Sequence, residues 1–482
     1  MSERARGASA PLAVLSLAFV ALTAFYVFFR REMLDEGWYL LAGRLAWRGE
    51  VPIRDFAYFQ SPLLPYLYGV SQRIAPGLLS GRVLAAAATL GTWLVVLRMT
   101  RRLAGAAAVP WAAGAMLTSV YFLSHFPLAL TYAPGAFFLV AALDAATRGQ
   151  VCRAVLFATV AAGVRLSLAP ALPILAVAAF RESARRSVDA ARLVASLALA
   201  AGVAVFFVLP DPEVARFCLV GYHVQGATAA DRIHAVTSSA LDALRSGGAL
   251  FLPALAAPFL AKELRHRGLV GAIFGAILLA NLAPATTAAY YQSVLAPVAA
   301  LLAAPVLAGL RPRGAAAAIL ALHLGAQGVT AVRQNVAVRA AHGVLPFEER
   351  LSRLHAVGRD VASRSSASPV WTLDPYFALE ADRGVVPGLA MGIFSVQADW
   401  PTERCRRFHV VNGSMLRSQL ADAEAEVVVL SALDVSQLGG RDGPVLSALP
   451  RRYAVRARYE DVGQFDGPVF LFERRAPRAV EQ

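Results

Sequence analysis

The sequence predicts an all-α polytopic membrane domain followed by a small extracytoplasmic α/β domain, and three observations carry this. Hydrophobic residues make up 57% of the 482 and charged residues 16%, against roughly 45–50% and 25% in soluble proteins. The mean hydropathy is +0.54. The apolar character is confined to residues 11–332, and the chain after Arg333 has ordinary globular composition. A soluble cytosolic enzyme does not fit this distribution.

The formal net charge of +14 raises the question of a nucleic-acid partner, because basic surfaces bind phosphate backbones. Lys262 is the lone lysine among the 46 basic residues, and many of the arginines stand in short clusters between apolar runs. Membrane topology requires them there. No nucleic-acid partner is expected, and the Arg and Ala bias reads as that of a GC-rich bacterial genome. Cys152, Cys218 and Cys405 form no C-x-x-C and no even-numbered framework. Neither a cofactor nor a metal site is expected from motifs, although a divalent metal stays open.

The first apolar run, 11–29, follows Arg4 and Arg6 and ends in Phe28-Phe29-Arg30-Arg31. It is too long for a signal-peptide core, so it reads as an uncleaved span. A span needs about 20 apolar residues, fewer where neighbours shelter it. On that basis eleven spans are expected, at 11–29, 83–97, 103–123, 132–147, 154–168, 169–180, 193–209, 248–261, 268–283, 292–310 and 314–332. Arginines mark every second connection: Arg98, Arg101 and Arg102, then Arg148 and Arg153, then Arg181 to Arg192, then Arg265 and Arg267, then Arg311 and Arg313. The intervening connections 124–131, 168–170 and 284–291 hold no Lys or Arg, while two long outer connections, 30–82 and 210–247, carry Arg but are long enough to contain their own structure. This alternation places the N-terminus inside a bacterial cytoplasmic (inner) membrane. An odd number of spans leaves the C-terminal domain outside. Two domains are therefore expected, a membrane domain at 1–333 and an extracytoplasmic α/β domain at 334–482.

Within the second domain, 346–364 has helical spacing, with Phe347, Leu351, Leu354 and Val357 on one face. Four segments rich in Val, Tyr and Phe read as strands, at 369–373, 426–430, 453–459 and 468–472.

The first outer loop is the most informative stretch. It holds Asp35-Glu36-Gly37-Trp38-Tyr39, then Gly49-Glu50-Val51-Pro52-Ile53-Arg54-Asp55-Phe56, then Gln60-Ser61-Pro62-Leu63-Leu64-Pro65-Tyr66. Trp38, Leu41, Ala42 and Leu45 recur at helical spacing, with Arg44 and Arg48 offset from that face, as in a helix lying in the membrane interface. Asp35 has two readings. It is an N-cap for that helix, or one of a pair of functional acids where a span meets water.

The whole stretch resembles the first outer loop of the membrane-embedded GT-C glycosyltransferases, in particular glycosyltransferase family 39 and its bacterial relatives. These include the protein O-mannosyltransferases and the aminoarabinose transferases of lipid A. The shared pattern runs Asp35-Glu36, Tyr39, Gly49, Pro52, Asp55-Phe56 and Pro62-Leu63-Leu64-Pro65-Tyr66, and a second echo is Tyr290-Tyr291 before Pro297. The resemblance implies transfer of a sugar from a polyprenyl-phosphate carrier to an acceptor (lipid, glycan or protein) on the outer face, with inversion. It implies Asp35 as the catalytic acid of the Asp35-Glu36 pair, acting as base on the acceptor hydroxyl, with Glu36 beside it as the second residue of the catalytic set. Arg165 is expected to meet the lipid phosphate, and Tyr290 and Tyr291 to line the sugar pocket. Tyr39, Asp55 and Gln60 join the substrate-binding set as motif residues. Arg54, Arg73 and Arg82 read as solvated.

One departure stands out. Relatives place an acid in the second outer loop, whereas 124–134 has no carboxylate and offers His125 instead. This leaves the acceptor type and any metal requirement open. The alternative function is a polytopic transporter or lipid flippase. That class often carries paired halves with broken helices at the midplane, but no matching halves are visible and the densest polar motif lies at the surface.

Overall fold

The computed structural model describes residues 3–225, 228–282, 284, 288–342, 350–440, 443–463 and 467–476. The chain divides into two compact units. The first comprises Met1–Val27, Val83–Leu209 and Leu219–Gln334, the second Phe28–Arg82, Pro210–Cys218 and Asn335–Gln482.

In the first unit the described residues of the eleven apolar runs are mainly helical. Among the described residues of the chain, six helices are long and apolar enough to cross a membrane: Pro11–Phe29, Leu78–Ala104, Arg186–Val208, Ala229–Leu260, Tyr290–Gly309 and Gly314–Ala331. Four shorter apolar helices are Ala106–Thr118, Tyr132–Ala146, Val151–Val164 and Arg267–Leu282. The protein is a multi-pass membrane protein.

Two expectations are corrected here. The span expected at 248–261 is the end of a longer helix, because a capping box starts Ala229–Leu260 inside the long connection 210–247. The Thr228 hydroxyl accepts from Asp231 N at 3.2 Å, and the Asp231 carboxylate accepts from Thr228 N at 2.8 Å. The run 103–123 breaks at Ser119 into Val109–Thr118 and Val120–Leu123. Amide groups freed by such a break must find partners away from water. Gln327 Oε1 accepts from Tyr121 N and Phe122 N at 3.0 and 3.1 Å, and Gln327 Nε2 donates to Ser246 O.

Asp144 accepts from Arg98, Arg102 and Arg148 at 2.6, 2.8 and 3.2 Å. It thereby gathers two of the arginine-bearing connections at one end of the unit, a structural use for this acid.

The second unit is built on a four-stranded sheet, β1 (Trp371–Thr372), β2 (Val427–Ser431), β3 (Tyr453–Tyr459) and β4 (Val469–Arg474), in the order β1-β2-β4-β3. β1 runs parallel to β2, and β4 is antiparallel to both β2 and β3. β2 is buried at all five positions, which its run of Val and Leu requires of a strand covered on both faces. Trp371, Leu373, Leu416, Val428, Leu430 and Tyr453 form the core. The helix expected at 346–364 is observed as Arg350–Arg364, while Pro346 and Phe347 lie outside the described residues.

Residues 28–82 complete this unit. The helix Leu34–Trp47 packs on Leu64–Ile74 at a glycine crossing, where a Cβ on Gly43 would lie 2.8 Å from Gly69 N. On its other side a Cβ on Gly37 would lie 2.7 Å from Tyr376 N, in the helix Pro375–Glu380. The helix expected in the membrane interface is thus buried over most of its length. Arg44 points to an ion pair with Asp382. The spacing that looked amphipathic marks a helix packed between two partners.

Candidate functional site

The expected site residues fall into two clusters, one in each unit. In the second unit they start at the first turn of Leu34–Trp47. The N-cap is Met33, so Asp35 stands inside the helix and does not cap it. Capping falls to Glu36, whose Oε2 accepts from Met33 N at 3.0 Å. Asp35 is half-buried, and its Oδ1 accepts from Trp38 Nε1 at 3.2 Å.

Beside Asp35 stand the rings of Trp38, Tyr39 and Tyr58. Tyr39 packs against Trp38 at 3.8 Å between centroids, and Tyr58 meets both edge-on. Burial pushes the Tyr58 phenol well above its ordinary range, and Tyr68 and the Asp35 charge add to this. The Tyr58 hydroxyl has no hydrogen-bond partner among the described residues. A neutral donor therefore lies close to the Asp35 carboxylate.

Glu36, expected beside Asp35 in the catalytic set, is instead buried in an ion pair. Its Oε1 accepts from Arg82 Nε at 2.8 Å and its Oε2 from Arg82 Nη2 at 2.7 Å, with both side chains 0% exposed. Arg82 is equally corrected. It is not solvated, and it also donates to Arg30 O at 2.8 Å. Arg54 is half-exposed and forks onto Asp55, while Arg73 is exposed, as expected of both.

Asp55 closes the turn of the Gly49–Phe56 stretch. Its Oδ2 accepts from Val51 N at 2.7 Å, and its two oxygens take Arg54 Nε and Nη2 at 2.9 and 2.8 Å. Gly49 supplies a left-handed backbone (φ 96°) that suits glycine, and Ile53 is held at φ 75°. Gln60 follows, half-buried.

In the first unit Arg165 is the C-cap residue of Val151–Val164, in an extended conformation. Its Nη1 donates to Thr131 Oγ1 at 2.9 Å and its Nε to Ser167 Oγ at 3.0 Å. The guanidinium carbon sits 4.7 Å from the Tyr132 ring centre and 5.2 Å from that of Tyr291. No carboxylate pairs with Arg165 among the described residues.

Tyr290 stacks on His125 at 5.0 Å and 15°, and meets Tyr132 and Tyr291 edge-on. His125 is buried, with Nδ1 2.9 Å from Tyr121 O. Arg165, His125, Tyr290 and Tyr291 therefore form one cluster. A cation held by neutral hydroxyls and ring faces keeps its charge for an incoming anion. No three His, Cys, Asp or Glu side chains come together as a metal-holding group among the described residues.

No family model and no curated protein sequence matches the chain. Among solved structures, ArnT from Cupriavidus metallidurans in the apo state superposes with a TM-score of 0.65 at 15% identity, covering 96% of this chain and 98% of the other. The same protein bound to undecaprenyl phosphate gives 0.63 at 15% identity, with 96% and 97% covered. This chain has the GT-C fold. An oligosaccharyltransferase from Archaeoglobus fulgidus, tethered with an acceptor peptide, aligns more loosely at 0.48 and 13% identity, covering 97% of this chain and 74% of that one.

Within its GT-C fold the chain holds residues whose part in these contacts the sequence did not show. Thr131 and Tyr132 had a legible signal, since they follow His125 in the stretch 124–134 that lacks a carboxylate. Arg82 and Tyr58 had none, because their partners lie far from them in the chain.

Proposed function

We propose that this chain is a GT-C glycosyltransferase of a bacterial cytoplasmic membrane. It moves a sugar from a polyprenyl-phosphate donor to an acceptor on the outer face, with inversion. The observation that carries the reading is Arg165, a guanidinium with no carboxylate partner among the described residues. It is held at a helix end by Thr131 and Ser167, in a chain with the fold of a protein whose structure contains undecaprenyl phosphate.

Arg165 is assigned the donor phosphate. Asp35 is assigned the acceptor hydroxyl, whose proton it takes as the oxygen attacks the anomeric carbon. The new glycosidic bond forms there, and the bond from that carbon to the carrier's phosphate oxygen breaks. The electron pair leaves on the phosphate, where Arg165 stabilises the developing charge. A phosphate ester is a weakly basic leaving group, so one carboxylate suffices. Tyr290 and Tyr291 are assigned the sugar face, with His125 holding Tyr290 in place. Glu36 is assigned a positioning role, because its carboxylate is committed to Arg82.

The test is transfer in membranes containing the full chain, supplied with polyprenyl-phosphate sugars labelled in the sugar. The proposal expects label to pass from at least one donor to a membrane acceptor and the carrier phosphate to be released. No transfer from any donor, with folded protein present, would overturn it.

A further inference from the structure

The second unit contains a cavity of about 830 Å³ that the chemistry above does not use. Its walls come from the end of Leu34–Trp47 and the Gly49–Phe56 turn on one side, and from residues 384–424 of the α/β fold on the other. Cavities that bury small ligands span roughly 300–1,000 Å³, so this one has room for a short oligosaccharide.

The lining decides the ligand's chemistry. Its charged groups are Arg48 and Arg406 against Glu50, Asp55 and Glu424, with His409 as the one imidazole in the lining. Three carboxylates against two guanidinium groups make a poor phosphate site, since an anion would meet net repulsion. Part of this charge is already committed: Asp55 is forked by Arg54, and Arg406 is bridged to Glu403 at 2.9 Å. Among the described residues Arg48, Glu50 and Glu424 have no such fork, and of the two acids Glu50 is the one whose carboxyl feels the Arg48 charge. Burial, and then the nearby Asp55, raise the Glu50 carboxyl above its usual range. It can thus serve as acceptor or, when protonated, as donor. Phe56, Val385 and Met415 add apolar surface.

Intermixed donors and acceptors beside apolar patches match a neutral polyol. Its hydroxyls both donate and accept, and its ring faces are apolar. We infer that this cavity binds an uncharged glycan of two or more sugars, the carbohydrate part of the acceptor, held between Glu50 and Arg48. This inference rests on the glycosyltransferase reading only for the word acceptor.

The test uses the purified full chain in detergent with no donor present. Uncharged malto-, manno- and chito-oligosaccharides of two to four residues are titrated, with glucose 6-phosphate as the anionic probe, and binding is read by saturation-transfer NMR and calorimetry. The expected result is binding of at least one neutral oligosaccharide, weakened tenfold or more by Glu50→Gln and by Arg48→Gln. Preference for glucose 6-phosphate, no oligosaccharide binding, or binding indifferent to both substitutions would overturn the inference. Donor turnover is measured separately on the same preparation. Turnover without oligosaccharide binding removes the cavity's role alone, whereas oligosaccharide binding without turnover leaves a carbohydrate site and removes the transferase reading.

Discussion

Arg82 and Glu36 form a two-bond ion pair, 2.8 and 2.7 Å, from which water is fully excluded. Glu36 also caps the helix that carries Asp35, through Met33 N. One buried carboxylate therefore fixes the direction in which its neighbour's carboxylate is presented. Removing one partner of such a pair costs about 3–5 kcal/mol, since the other charge is left buried and alone. Arg82→Ala and Glu36→Gln should lower the yield of folded protein and its melting temperature. If both variants accumulate and melt like the wild type, the pair does not anchor this helix.

Arg165→Ala should raise the KM for the polyprenyl-phosphate donor while leaving acceptor KM close to wild type. A lost charge-assisted hydrogen bond is worth about 1.5–3 kcal/mol, or roughly 10- to 150-fold. Arg165→Lys keeps the charge but not the two hydroxyl contacts, and should lie between. An unchanged donor KM in Arg165→Ala would make the residue structural.

The α/β fold carries a pH signature. Asp374 and Asp434 are both buried. Burial is the main cause that raises each carboxyl, with Asp434 adding to the rise at Asp374, and Asp434 is pushed up to about 6. For an acid raised on folding, the native state holds the proton over the window where the unfolded state releases it. That window runs here from the ordinary 3.8 to about 6. The stability this group contributes is complete below the window and is lost as pH rises through it. Asp434→Asn mimics the neutral acid and keeps an oxygen for Ser431 N. Its melting temperature should match the wild type near pH 4 and exceed it at pH 7. A variant less stable than wild type at pH 7 would contradict this.

The arginine alternation proposes that the α/β fold lies outside the membrane. Alkaline phosphatase fused after Gln482 should then be active in cells. A fusion active only as a cytoplasmic reporter would overturn the eleven-span topology.

The sheet was legible because each strand is a short β-branched or aromatic run, and all four fall within two residues of where the pattern places them. The apolar runs were legible as helices for the same local reason. The break at Ser119 was not, because what makes it tolerable is Gln327, more than 200 residues away. Arg165, His125, Tyr290 and Tyr291 were each visible as polar or aromatic residues at the ends of apolar runs. Their meeting was not visible, since it runs through Thr131 and Tyr132. Around Asp35 the sequence offered a cap or a functional acid, and could not show that Glu36 takes the cap. Arg82 looked solvated because nothing near it in the chain is acidic.

Asp35→Asn tests the central claim most directly. The side chain keeps its size and an oxygen that can accept from Trp38 Nε1, and Met33 rather than Asp35 stands at the N-cap. Folding should be untouched, with normal yield and melting temperature. Loss of a general base should lower sugar transfer by roughly 10² or more, with the donor KM near wild type. Near-normal transfer by Asp35→Asn, measured in membranes with labelled polyprenyl-phosphate sugar, would contradict the mechanism.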